Sequence, residues 1–227
     1  MPSHSGLNSR LFHPLLVVAL VLVVLGALYG SFMLDEPVRR MVLEANGGHW
    51  SRSPLVAMCS KYGDWPELMI IGAIGVFAAR LVNNVRWQRI LLSAMIASTL
   101  AGMVVNTSRL TTGRTRPRAE AEQGWYGPRH GGKWLIGNAD FNSFPSGHTA
   151  TAVGFAGVIL FASPGFGSAA LLAALAIILS RILLGAHHPS DVVAASVIAF
   201  GIAWLVWEFL GRRGRVDGVV RFPEGSA

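Results

Sequence analysis

The stretch Asn142-Ser143-Phe144-Pro145-Ser146-Gly147-His148-Thr149 stands directly before an apolar run. Pro145 interrupts whatever precedes it. Ser146 is a favoured N-cap residue, and Gly147 leaves the backbone bare. A helix start of this kind exposes unpaired N–H groups beside the positive end of the helix dipole, which suits an anion. His148 adds a group that exchanges a proton near neutral pH. The same residues also suit an ordinary helix cap with a surface histidine, so the rest of the chain has to decide between the two.

Of the 227 residues, 52% are apolar and only 14% are charged. A soluble domain carries about 25% charged residues, so the deficit points to a membrane protein. The length suits a single compact unit over residues 1–227. The net charge of +7 would fit a nucleic-acid partner, but the arginines do not form a tract beside aromatics. An anionic bilayer surface or an anionic substrate explains the charge better. Cys59 is the single cysteine, which leaves no intramolecular disulfide and no CxxC motif. No Cys/His pattern suggests structural zinc, and neither a metal nor a cofactor is expected.

Residues 14–34 are almost wholly apolar. A bilayer crossing needs about 20 residues, and the apolar core of a cleaved signal peptide runs to about 7–15. An uncleaved anchor is expected. Residues 35–65 are mixed. Val38, Met41 and Val42 lie at helical spacing, as do Leu55, Met58 and Cys59, with Gly47-Gly48 between the two groups. Short amphipathic helices on the membrane surface fit that pattern. Further apolar runs cover residues 66–82, 90–108, 147–163 and 168–184, and a last one ends near residue 210. Residues 163–167 read as a turn. The expected fold is all-α: a bundle of six transmembrane helices with short interfacial helices on the outer face. An even number of spans places both termini on one side. Arg80, Arg86, Arg89 and the arginines of the tail share that side, which the positive-inside rule makes cytoplasmic. A multi-pass protein of the cell inner membrane follows.

Three polar clusters then fall on the opposite, outer face. The first runs from Arg109 to Arg118, the second is the opening stretch, and the third runs from Ser180-Arg181 to Asp191. Guanidinium groups fork onto phosphate oxygens and stay charged, which makes Arg109, Arg116 and Arg181 candidate anion ligands. Snorkelling to lipid headgroups is the expectation for Arg114 and Arg118. His187 and Asp191 stand four apart, so a helical start could bring them together. The carboxylate would then fix the imidazole tautomer and free the other nitrogen as a base or nucleophile. Taken alone, the pair also fits a helix-capping aspartate beside an interfacial histidine.

Together the clusters resemble the tripartite signature of the type 2 phosphatidic acid phosphatase superfamily, which includes bacterial acid phosphatases and vanadium haloperoxidases. Its first motif is Lys, six residues, then Arg-Pro; here Arg109 takes the lysine position and Arg116-Pro117 follow. Its second is Pro-Ser-Gly-His, present as Pro145 to His148. Its third is Ser-Arg, five residues, His, three residues, Asp, present as Ser180-Arg181, His187 and Asp191. The resemblance covers about residues 100–210. It implies a membrane lipid phosphatase that works without a metal. His187 would be the nucleophile that takes up the phosphoryl group, and Asp191 would orient it and stabilise its charge. His148 would be the general acid. Arg109, Arg116, Arg181, Ser146 and the Gly147 N–H would hold the phosphate. Arginine at position 109 keeps the charge of the lysine but is bulkier and forked.

The expected substrate is a phosphomonoester or diphosphate on a lipid, such as polyprenyl diphosphate, phosphatidylglycerophosphate, phosphatidic acid or a lipid A phosphate. A lipid phosphotransferase with the same phosphohistidine is one alternative. A non-enzymatic anion-binding membrane protein or transporter is another. His188 is expected to line the site or lie at the surface. The loop from Arg118 to Phe141, with Trp125, Tyr126 and Trp134, is expected to cover the pocket and select the headgroup.

Overall fold

The computed structural model describes residues 6–43, 50 and 53–211. Seven α-helices form among them: α1 (Gly6–Leu43), α2 (Pro54–Tyr62), α3 (Trp65–Leu81), α4 (Val85–Thr112), α5 (Gly147–Ala162), α6 (Pro164–Leu183) and α7 (Pro189–Val206). The other regular structure is a two-residue hairpin, Arg129–His130 against Lys133–Trp134, and short single turns. The fold is thus all-α. Among the described residues, four segments are long and apolar enough to cross a membrane: Pro14–Leu43, Val85–Thr112, Pro164–Leu183 and Pro189–Leu210. The protein is a multi-pass membrane protein. Helices α3 and α5 are also apolar but have only 17 and 16 residues, about 24–26 Å at 1.5 Å per residue.

Length and burial of α5 go together. It packs between α4, α6 and α7, and nearly all of its residues are buried. Small residues make this possible. A Cβ at Gly154 would lie 3.0 Å from the Ala97 carbonyl oxygen, and one at Gly157 would lie 2.9 Å from Ala203 Cβ. Lipid-facing α1 shows the opposite pattern, with Leu15, Leu22, Val23 and Leu25 exposed along it.

Two expectations are corrected here. Residues 35–43 are not a separate surface helix. They continue α1 through Pro37, and the polar side chain of Asp35 is buried against α7, where Ser190 donates to it from both N (2.9 Å) and Oγ (2.6 Å). The break expected at Gly47-Gly48 lies outside the described residues, as do the arginines of the tail. Leu55, Met58 and Cys59 do fall on a short helix, α2. The second correction concerns residues 163–167. They are not a turn, because Ser163 caps α6 and Pro164 occupies its first turn, where a missing N–H is harmless. Gly167 permits this tight reversal: a Cβ there would lie 2.1 Å from Leu160 Cα.

Helix ends alternate so that the starts of α3, α5 and α7 meet the ends of α1, α4 and α6. The end of α4 is set by Gly113, which adopts the left-handed conformation (φ 56°). A Cβ there would lie 1.9 Å from the Gly127 carbonyl oxygen. The opposite end of the bundle carries Arg80, Arg86 and Arg89, and the Arg86 guanidinium donates to the Ala162 carbonyl at the end of α5 (3.1 Å).

The α5–α6 reversal is testable. Overpacking at a backbone contact costs about 1–3 kcal/mol, so Gly167→Ala is expected to lower the thermal midpoint in detergent. Gly201→Ala, where nothing lies within 4 Å, is expected to leave it unchanged or raise it. Equal midpoints for the two variants would contradict the packing argument.

Candidate active site

Ser146 caps α5, its Oγ accepting from the N–H of Thr149 (3.4 Å) and from Thr149 Oγ1 (3.0 Å). It is fully buried and is not among the residues that line the cavity described next. Gly147 and His148 turn the first residues of the helix into a cavity of about 240 Å³. Its other walls are Asp64, Trp65, Asn106, Arg109, Arg116, Thr151, Arg181 and His187. A Cβ on Gly147 would lie 2.8 Å from Asn106 Oδ1 and 3.7 Å from Arg109 Nη1, so the bare backbone is what allows that approach. Every other candidate residue of the three clusters except Asp191 is therefore gathered around one space.

The guanidiniums are held from behind. Arg109 donates to Asn106 Oδ1 (2.7 Å), and Arg181 donates to Ser60 Oγ on α2. The Nε atoms of Arg116 and Arg181 are buried and have no hydrogen-bond partner. Burial, reinforced by the neighbouring Arg118, Arg109 and Arg181, pushes Arg116 down to about 10. It remains a cation at neutral pH, but one that the protein leaves short of negative charge. A third unpartnered buried atom is Nε2 of His187, a residue that lines the same cavity.

The His187 tautomer follows from its other nitrogen. Nδ1 lies 2.7 Å from the Ser143 carbonyl oxygen. A carbonyl can only accept, so Nδ1 carries the proton and Nε2 presents a lone pair to the cavity. The Asp191 carboxylate is 3.6 Å from Nδ1, beyond hydrogen-bond range, so it acts on the ring as a nearby charge and through Ser143. Burial pushes the fully enclosed imidazole down to about 4, against the pull of Asp191. At neutral pH His187 is uncharged. His148 lies across the cavity, its Nε2 3.6 Å from Asp64 Oδ2.

Asp191 stands behind the cavity in a network that the sequence did not announce. Arg114, expected to snorkel, is buried instead. Its Nη1 donates to Asp191 Oδ1 (2.5 Å) and Ser190 Oγ (2.7 Å), and its Nη2 donates to Asp35 Oδ2 (2.5 Å). Asp191 also accepts from Ser143 Oγ (2.5 Å) and from the N–H of His188 (2.7 Å). The guanidinium carbon sits 4.7 Å from the Trp125 ring centroid and 5.7 Å from that of Phe144. Two carboxylates and an aromatic box thus replace the water that a snorkelling arginine would have sought. Arg118 is exposed. His188 is buried, not lining, and serves the start of α7. No residue of the loop from Arg118 to Phe141 lines the cavity; Trp125 packs on Arg114, and Trp134 is 67% exposed. The long-range partners Asp35, Ser60 and Ser143 were also missed, as was Asn106 one turn before Arg109; only the polar character of Asp35 within an apolar helix could have flagged one of them.

Beside the polar cavity lies a second one of about 480 Å³, lined by Thr99, Gly102, Met103, Thr107 and Leu110 together with Trp65, Asn106, Arg109 and Thr151. Those last four residues border both cavities, so the apolar space along α4 adjoins the basic one.

Known proteins align with this part of the chain. The sequence model of the PAP2 superfamily matches residues 88–215. Lipid A 1-phosphatases of Rhizobium etli and Rhizobium johnstonii are each 33% identical, over 101 and 104 residues, or 44% and 46% of this chain. The matched stretch spans only 41% and 40% of those two proteins. Undecaprenyl-diphosphatase BcrC of Bacillus subtilis is 32% identical over 153 residues, 67% of this chain and 75% of its own. No solved structure matches.

Two outcomes test the site's electrostatics. Removing one partner of a buried ion pair costs about 3–5 kcal/mol. Arg114→Met, which strands Asp35 and Asp191, is expected to lose that much stability in chemical denaturation, and a loss below about 1 kcal/mol would contradict the bridging role. For His187, folding excludes a proton that the unfolded chain binds between about pH 6.5 and pH 4. Its contribution to stability is complete above that window and is lost as the pH falls through it. His187→Asn is expected to flatten the fall in thermal midpoint between pH 6.5 and 4, and an unchanged slope would contradict the neutral buried ring.

Proposed function

This chain belongs to the PAP2 superfamily, and we propose that it is a membrane lipid phosphatase acting through a phosphohistidine. The observation that carries the reading is the set of three buried, unpartnered atoms, Arg116 Nε, Arg181 Nε and His187 Nε2, around one cavity. Two are donors on permanent cations and the third is a lone pair. A phosphoryl group completes all three, its oxygens taking the N–H groups and its phosphorus facing the imidazole.

The lone pair of His187 Nε2 attacks phosphorus, and the bond from phosphorus to the lipid oxygen breaks. His148 gives that oxygen its proton. Water then attacks the phosphohistidine, losing a proton to His148, and the N–P bond breaks to release inorganic phosphate. Through both steps Arg109, Arg116 and Arg181 hold the phosphate oxygens with the Gly147 N–H, and Ser146 fixes the helix start that presents it. Asp191 steadies the charge that His187 acquires, and the Ser143 carbonyl keeps the ring in register. Preorganised positive charge around the transferring group supplies the acceleration, so no metal is required.

The adjoining apolar cavity supports a lipid as the substrate: the phosphate enters the basic space while the first part of the chain lies along α4. The names of the relatives support a lipid A phosphate or a polyprenyl diphosphate as the substrate. Helices α1 and α3 to α7 form six crossings, with α2 at the outer surface and the whole of residues 1–227 as one unit. The termini and Arg80, Arg86 and Arg89 face the cytoplasm, and the site opens on the outer side of the inner membrane.

Purified protein is expected to release inorganic phosphate from lipid phosphates in the presence of EDTA. His187→Ala is expected to reduce that release by at least about 10³-fold, the scale of losing a nucleophile that acts as a unit with its neighbours. Release that persists in His187→Ala, or that EDTA abolishes, would contradict the mechanism.

A further inference from the structure

The cavity holds one carboxylate. Asp64, in the turn before α3, is the only acidic residue among those that line it. Its two oxygens have different duties. Oδ1 accepts from the N–H of Trp65 (2.8 Å) and so caps α3, while Oδ2 faces His148 Nε2 at 3.6 Å. The cap fixes the direction of the second oxygen. The turn is itself fixed to α4, because Trp65 Nε1 donates to Thr99 Oγ1 (3.0 Å). Asp64 is therefore held where it is by contacts that have nothing to do with phosphate.

The groups facing His148 come from five elements. They are Asp64 before α3, Arg109 on α4, Arg116 in the loop after α4, Arg181 on α6 and His187 before α7. Three of them are permanent cations, and each opposes a positive charge on the His148 ring. A ring that must deliver a proton to a leaving oxygen has to be charged beforehand. Asp64 is the single neighbour that favours the charged form. At 3.6 Å the contact is an ion pair and not a hydrogen bond, so the N–H stays free to turn to a leaving oxygen.

We propose that Asp64 is a positioning residue for the proton step, favouring the protonated His148 imidazole against burial and the guanidiniums around it so that it can protonate the leaving oxygen. This rests on the phosphatase reading above. Asp64 does not take the proton. The imidazolium N–H bond breaks as the lipid oxygen gains the proton and loses phosphorus to His187 Nε2. In the second half the neutral ring takes a proton from the attacking water, which restores the imidazolium beside Asp64. The same carboxylate repels the incoming phosphate, so it favours turnover at the expense of binding.

The test uses the full chain in detergent with two substrates. One is a lipid phosphate, whose alkoxide leaving group needs a proton. The other is a nitrophenyl phosphate, whose leaving group does not. Asp64→Asn keeps a good N-cap and removes the charge. It is expected to slow the lipid phosphate about 10–100-fold and the nitrophenyl phosphate at least about fivefold less than that. The basic limb of the lipid-phosphate pH profile should move down by about one unit. Inhibition by inorganic phosphate should be as strong or stronger, and Asp64→Glu should restore part of the lost rate. His148→Ala serves as the reference and should show the same split between substrates. Equal slowing of both substrates by Asp64→Asn, or weaker inhibition by phosphate, would mean that Asp64 only holds the turn and overturns the proposal. A split with His148→Ala but none with Asp64→Asn overturns it while leaving the phosphatase reading intact. No split with His148→Ala overturns the acid role of His148 and the proposal with it.

Discussion

A single buried guanidinium joins the first helix of the bundle to the last. Arg114 bridges Asp35 on α1 and Asp191 on α7, residues that lie on either side of it by 79 and 77 positions. Loss of any one of the three would leave a buried charge without its partner. The bridge also sets the chemistry in front of it. Asp191 fixes Ser143 through its hydroxyl, and the Ser143 carbonyl fixes the proton on His187 Nδ1. The orientation of the unpartnered lone pair is thus decided by a contact on the far side of the ring.

In front of the ring the electrostatics are reversed. Behind it, charges are paired; in the cavity, three guanidiniums face one carboxylate. Donors without acceptors and a neutral imidazole among cations form a site suited to an anion. Charge that is fixed in place before a substrate arrives costs nothing to reorganise at the moment of reaction. Two of the three cations have a second anchor, Asn106 for Arg109 and Ser60 for Arg181.

Much of this was legible in the sequence. The complete second and third motifs and the arginine variant of the first fall at helix ends that alternate along the chain, so their convergence follows from counting apolar runs. Gly147 and His148 were read from local helix chemistry alone, and both line the cavity. What the sequence concealed is long-range. Arg114 looks like Arg118 in the primary structure, and only the folded chain places Asp35 beside one and water beside the other. The direct partner of His187 Nδ1 is a backbone carbonyl, which no side-chain pattern can reveal. The continuation of α1 past residue 34 was hidden because its polar residues looked interfacial, when in fact Asp35 is paired internally. The loop aromatics misled for a similar reason: Trp125 covers Arg114 and not the cavity.

The central claim is that the phosphoryl group passes through Nε2 of His187. Rapid quenching of the enzyme during turnover of a labelled lipid phosphate, followed by mapping of the label by mass spectrometry, tests this directly. An acid-labile, base-stable phosphohistidine at His187 that forms within one turnover is expected. Label on any other residue, or phosphate release with no phosphorylated histidine at any time, would contradict it.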